Sequence, residues 1–195
     1  MQPDGKGGHV VRKLVASEIV SLDDVMGSPE KWAFPYSNDE TEETNASGMA
    51  ASDALLMGRV TYEALAAYWP HQPGGVEMVD YINSVPKFVV STTLEEVRWN
   101  NSTLIRGNVA EEIAGLKRQP GKDITILGSA ALVRSLLRDS LLDELRLMVH
   151  PVILGSGKRL FEGGGDQKPL ELVDSKAFST GVLYLTYRPA DEQGA

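Results

Sequence analysis

The chain contains no cysteine. That excludes disulfides, a thiolate nucleophile and cysteine-ligated zinc. Histidine is nearly as scarce: His9, His71 and His150 are the whole supply, at spacings that fit no metal-binding pattern, so no metal is expected. Long apolar runs are missing too. No stretch approaches the roughly 18 residues that cross a bilayer, and the first residues lack a signal peptide's apolar segment. A cytoplasmic protein with no membrane partner is the expectation. Basic charge is in deficit as well. The formal net charge is −8 over 195 residues, which argues against a nucleic-acid partner, because such binding needs a basic face. Two glycine-rich signatures also fail. The segment Gly155-Ser156-Gly157-Lys158-Arg159 has Val152 where a Walker A loop needs its first glycine, and Arg159 where it needs Ser or Thr. No Gly-x-Gly-x-x-Gly follows a strand.

What is present is enough apolar residue, 42%, to build a core rather than leave the chain disordered. Residues 1–9 read as a polar, glycine-rich tail, 10–189 as one domain and 190–195 as a second polar tail. Strand-like runs occur at Val10–Val20, Ala54–Met57, Lys87–Thr93, Ser102–Arg106 and Ile124–Leu127. Later ones lie at Glu144–Leu154, Leu170–Phe178 and Gly181–Tyr187. Helical spacing falls between them, at Asn38–Ser52, from Tyr62 onward, at Val76–Ser84, at Val109–Gln119 and after Ser129. This alternation, closed by a strand pair, predicts an α/β domain with a mostly parallel sheet and an antiparallel edge.

Three predicted strand ends carry small or hydroxyl residues: Gly58-Arg59-Val60-Thr61, Ser91-Thr92-Thr93 and Gly128-Ser129-Ala130. A strand that stops at glycine and turns at once into a helix leaves backbone N–H groups free, and these, with the helix dipole, favour a phosphate. Each join alone also reads as an ordinary capped turn. In a parallel sheet, however, ligands sit beyond the carboxyl ends of the strands. Three such ends together predict one elongated, phosphate-bearing ligand, with an Arg59 fork suited to phosphate oxygens. The acidic run Asp39, Glu40, Glu42 and Glu43 reads as a solvated helix face, with an inward-turned carboxylate as the alternative. Along Glu144–Leu154, Arg146, Met148 and His150 share one face, and Leu145, Leu147 and Val149 the other. His150 reads either as a structural histidine or as a pocket border.

The order and spacing of several segments carry a resemblance. They are Ser21-Leu22-Asp23, Leu56-Met57-Gly58-Arg59-Val60-Thr61-Tyr62-Glu63, Val89-Val90-Ser91-Thr92, Leu127-Gly128-Ser129-Ala130 and the run from His150 to Phe161. From about Arg12 to Arg188 the chain resembles the dihydrofolate reductase-like superfamily. Within it, the chain is similar to the reductase domain of bacterial riboflavin biosynthesis, the RibD C-terminal domain family, as a stand-alone member. The resemblance implies a three-layer αβα sandwich, an NADPH cofactor, a homodimer and reduction of a small heterocyclic or ribosylaminopyrimidine-type substrate. A true dihydrofolate reductase and a non-catalytic nucleotide-binding module are the alternatives. It further implies cofactor contacts from Ala16, Gly58, Arg59, Val60, Thr61, Ser91 and Thr92, and from Leu127, Gly128, Ser129, Ala130 and Leu132. A cis peptide between Gly128 and Ser129 is also implied. Asp23, Trp32, Met148 and His150 are assigned to the substrate side, and no catalytic residue is assigned. One departure stands out: Asp24 occupies the place where family members usually have glycine.

Overall fold

The computed structural model describes residues 11–163 and 167–190. The expected tail at 1–9 lies outside the described residues, as does the expected tail at 190–195 except for Ala190. Six strands run parallel: β1 (Leu14–Ser21), β2 (Ser52–Gly58), β3 (Lys87–Val90), β4 (Ser102–Ile105), β5 (Asp123–Ile126) and β6 (Glu144–His150). β8 (Leu183–Pro189) pairs antiparallel with β6, and β7 (Leu170–Ala177) antiparallel with β8. The sheet order is β4-β3-β2-β5-β1-β6-β8-β7. The fold is thus the mixed, mostly parallel sheet with an antiparallel edge that the strand pattern predicts.

The middle strands are apolar on both faces because helices cover both. In β2, Ala54 and Leu56 join the core under α4 (Val109–Arg118) and α5 (Ala130–Arg138), where Ile113, Leu116, Val133 and Leu136 pack. Leu55 and Met57, pointing the other way, join Tyr62 of α2 (Arg59–Tyr68) and Ile82 of α3 (Glu77–Ser84). Period-two alternation therefore sorts one strand between two cores. Each fully buried Leu or Ile contributes roughly 2 kcal/mol of apolar transfer. α1 (Asp39–Ala51) begins at an Asn38–Thr41 capping box and packs on β2 and α3. Its Asp39, Glu42 and Glu43 are exposed, as a solvated face requires. Among the described residues no helix is long and apolar enough to cross a membrane.

Several strand boundaries shift from the sequence reading, and the two largest shifts have a visible cause. β1 starts at Leu14, because the Arg12 side chain is buried against Asp53 and donates to the Lys122 carbonyl at 2.6 Å. β6 stops at His150, because Pro151 has no N–H to continue a ladder and Val152 N–H turns back to the His150 carbonyl at 2.8 Å.

Candidate functional site

β3, β2, β5 and β1 are consecutive neighbours in a parallel sheet, so their carboxyl ends lie side by side. The ends of β2 and β5 are stitched together: Gly58 N–H donates to the Gly128 carbonyl at 3.0 Å and Leu127 N–H to the Leu56 carbonyl at 3.1 Å. Each end passes straight into a helix, α2 after Gly58 and α5 after Ser129. Neither helix is capped by a side chain, and neither has an acidic residue in its first turn. Two bare helix N-termini thus adjoin, both presenting unpaired N–H groups and positive dipole ends.

The glycines here make room. A Cβ on Gly58 would lie 2.8 Å from Ser129 Oγ. Gly128 has φ +88°, and a Cβ there would come within 3.2 Å of Thr61 Oγ1 and 3.5 Å of Met26 Cε. The Gly128–Ser129 peptide is cis. Gly58, Thr61, Gly128 and Ser129 are therefore one contiguous cradle, with Ala130 opening α5 beside it. Arg59 stands at the mouth on the first turn of α2, in an i,i+4 pair with Glu63 at 3.1 Å, both side chains nearly half exposed. Such a pair is worth at most about 1 kcal/mol, so a phosphate can displace it. Val60 next to it is exposed. At the end of β3, Ser91 Oγ accepts from Thr93 N–H and Leu94 N–H at 3.1 and 3.0 Å, bracing its own turn, while Thr92 is exposed. The donor set is small, neutral and directional, which fits a pyrophosphate.

Two residues expected at the cofactor turn their side chains into the core. Ala16 is fully buried in the core under α4 and α5, paired with Ile126 on one side and Leu145 on the other. Leu132 packs its side chain into the same core. The register explains Ala16: β1 must advance two residues past the Ala16–Ile126 pair to reach the level of Gly128. That residue is Glu18.

Glu18 is the site residue that sequence reasoning missed. It is 5% exposed, and its Oε1 has no hydrogen-bond partner. Its Oε2 lies 3.7 Å from where a Gly128 Cβ would be. Burial raises its pKa to about 8, against the opposing pull of the Gly128 backbone hydrogen bond. The available signal was a lone acid in an otherwise apolar strand run.

The loop after β1 is fastened to the segment that follows β6. Asp23 accepts from Leu154 N–H at 3.0 Å, Gly155 N–H at 2.9 Å and Ser21 Oγ at 2.7 Å. These bonds, led by that from Leu154, hold its pKa down to about 2. Its carboxylate is thus engaged in loop anchoring. Asp24 has φ +68°, the left-handed region that glycine favours and aspartate tolerates. There its carboxylate accepts from Phe161 N–H at 2.7 Å. Asp24 thus combines a glycine-like backbone conformation with a side-chain anchor.

Met148 lines a cavity of about 120 Å³ on the α1–α3 side of the sheet, with Ser17, Leu127, Arg146, Tyr184 and Thr44. Leu127 borders this cavity and directly precedes the cradle glycine. Trp32 and His150 are not among the residues lining it. They stack edge to face, 5.4 Å between centroids, with Tyr36 on the same imidazole at 5.6 Å. His150 Nδ1 donates to the Met148 carbonyl at 3.0 Å, and burial lowers the ring's pKa, so it stands as a neutral structural group. None of the acids of α1 is buried; Glu40 accepts from Ser179 N–H at 2.7 Å and ties α1 to the β7–β8 turn. Among the described residues no cluster of His, Asp or Glu is arranged to hold a metal.

Residues 12–184 match the model of the RibD C-terminal domain. The uncharacterized protein YyaP of Bacillus subtilis (strain 168) is 36% identical over 138 residues, covering 69% of this chain and 73% of that protein. The crystal structure of a riboflavin biosynthesis protein from Shewanella sp. PV-4, named there as putative, superposes with a TM-score of 0.76 at 22% identity. That match covers 92% of this chain and 99% of that one. Dihydrofolate reductase from Enterococcus faecalis, complexed with NADP(H), superposes with a TM-score of 0.63 at 15% identity, over 92% and 97% of the two chains.

Proposed function

The chain belongs to the RibD C-terminal domain family, and on that footing we propose that it is an NADPH-dependent reductase of a small heterocyclic substrate of the ribosylaminopyrimidine class. The observation that carries this reading is the pair of bare helix N-termini at Gly58 and Ser129, brought together by the Gly58–Gly128 and Leu127–Leu56 hydrogen bonds beside a cavity. The Enterococcus faecalis reductase, of the same fold, is complexed with NADP(H), which supports the choice of dinucleotide.

In this reading the cradle of Gly58, Gly128 and Ser129 would make room for the pyrophosphate, and the free first-turn N–H groups of α2 and α5, from Arg59 and Ala130 onward, would hold it, with Thr61 as a hydroxyl donor. Arg59 leaves Glu63 to take the 2′-phosphate, and Thr92, with the turn that Ser91 braces, lies along the adenosine end. The nicotinamide, when bound, supplies the hydride, and the protein's contribution is to orient donor and acceptor and exclude water. Leu127, Met148 and Ser17 form the floor of the acceptor cavity, and Arg146 and Tyr184 supply its polar contacts.

Titration with NADPH and NADH tests the cofactor, and loss of NADPH absorbance over a panel of pyrimidines and pterins tests the substrate. Arg59→Ala is expected to weaken NADPH about tenfold, the value of one charge-assisted contact, and NADH by much less. Equal loss for both refutes the assignment of Arg59. Turnover of a pterin and no pyrimidine refutes the substrate class.

A further inference from the structure

The sheet places one carboxyl directly beneath the cradle. Glu18 comes up β1 beside the Gly128 turn, on the side where Thr61 Oγ1 and Met26 Cε also lie. Its Oε2 shares the space above Gly128 Cα with Thr61 Oγ1 from α2 and Met26 Cε from the loop after β1, all three within 3.7 Å of where a Gly128 Cβ would stand, and Leu147 is its partner on β6. No charged side chain perturbs it; burial and the Gly128 bond are its only influences. An ionised carboxylate with no cation nearby is strongly disfavoured in such a place. Next to two helix N-termini that would receive phosphates, it would also repel the ligand. A protonated carboxyl behaves in the opposite way. It accepts from Gly128 through one oxygen and has an O–H to give through the other, and Oε1 is the atom without a partner.

Resting on the dinucleotide reading above, we propose that Glu18 is a further cofactor-binding residue, a neutral carboxyl whose free O–H donates to an oxygen of the bound dinucleotide and whose ionisation weakens binding. Cofactor affinity is thereby coupled to a single proton held inside the fold. Glu18 differs in this from the acids of α1, none of which is buried.

The test is the dissociation constant of NADPH from pH 6 to 9.5, by calorimetric titration, for the wild-type protein, Glu18→Gln and Glu18→Leu. For the wild type, affinity is expected to hold below the carboxyl's titration and to fall above it by up to about tenfold per pH unit, the limit for one coupled proton. Glu18→Gln, neutral at every pH and still a donor, is expected to bind within about twofold of the wild type at pH 6.5 and to lose that pH dependence. Glu18→Leu, neutral without a donor, is expected to be pH-independent and about fivefold weaker, the net value of one hydrogen bond. A Gln variant that keeps the wild-type slope, or a wild type with no slope, overturns the role of Glu18 and leaves the dinucleotide reading intact. If no form binds NADPH at any pH while circular dichroism shows all three folded, the dinucleotide reading fails and this inference fails with it.

Discussion

Glu18→Gln should change stability as well as binding, in an amount that follows from burial. The folded-state pKa is about 8 against 4.5 for the exposed group. Between those values the folded protein holds a proton that the unfolded chain has released, so stability falls as pH rises through this window. Below pH 4.5 the group is protonated in both states and imposes no penalty. Each tenfold difference in proton affinity between the folded and unfolded chain is worth about 1.4 kcal/mol, so the penalty reaches about 3 kcal/mol at pH 7 and levels off near 5 kcal/mol above pH 8. Glutamine has nearly the same shape and nothing to ionise. The assay is urea unfolding of both proteins at pH 5, 7 and 8.5, followed by the fluorescence of buried Trp99. The other carboxylates, Asp23 included, titrate alike in both proteins and cancel in the difference. The variant should be nearly level with the wild type at pH 5 and about 3 kcal/mol more stable at pH 7, with unchanged m-values. A difference that does not depend on pH refutes the claim that Glu18 is held protonated by burial.

Two further substitutions probe opposite ends of the sheet. Gly128→Ala forces a side chain onto a residue at φ +88° and brings a Cβ within 3.2 Å of Thr61 Oγ1; it should cost about 1–2 kcal/mol of stability and, by narrowing the cradle, more than tenfold in NADPH affinity, read by thermal unfolding and titration. Lys87 is fully buried at the start of β3, its Nζ donating to the carbonyls of Asn83, Val85 and Asn100 and lying 4.5 Å from the Trp99 ring centroid. Lys87→Met fills the space and strips three carbonyls of their donor, so a loss of about 2–4 kcal/mol is expected in urea unfolding, with NADPH affinity in the folded protein unchanged.

How legible the molecule was in its sequence depends on what each feature rests upon. The strands and helices rest on periodicity, and β2 shows why that worked: Ala54 and Leu56 serve one core, Leu55 and Met57 the other, giving the unbroken apolar run of a strand covered on both faces. The Gly58 and Gly128 joins were visible because a glycine between a strand and a helix is a local signal. Register is not local. Whether Ala16 or Glu18 stands level with Gly128 is decided by how β1 slides against β5, and the sequence of β1 alone carries no mark of it. From the sequence, the acidic run on α1 is the more conspicuous source of an inward carboxylate than the single acid of β1. The same limit applied to Asp23 and Asp24. Their carboxylates are taken up by backbone N–H groups at 154, 155 and 161, more than a hundred residues away along the chain.

The claim beneath all of this is that the ends of β2 and β5 hold one dinucleotide between them. A crystal structure of the protein grown with NADPH tests it most directly. The pyrophosphate is predicted to lie against the free backbone N–H groups of the first turns of α2 and α5, which follow Gly58 and Ser129, with the nicotinamide toward the cavity bordered by Leu127 and Met148. NADPH bound elsewhere on the surface, with the Gly58 and Ser129 helix ends untouched, would contradict the account.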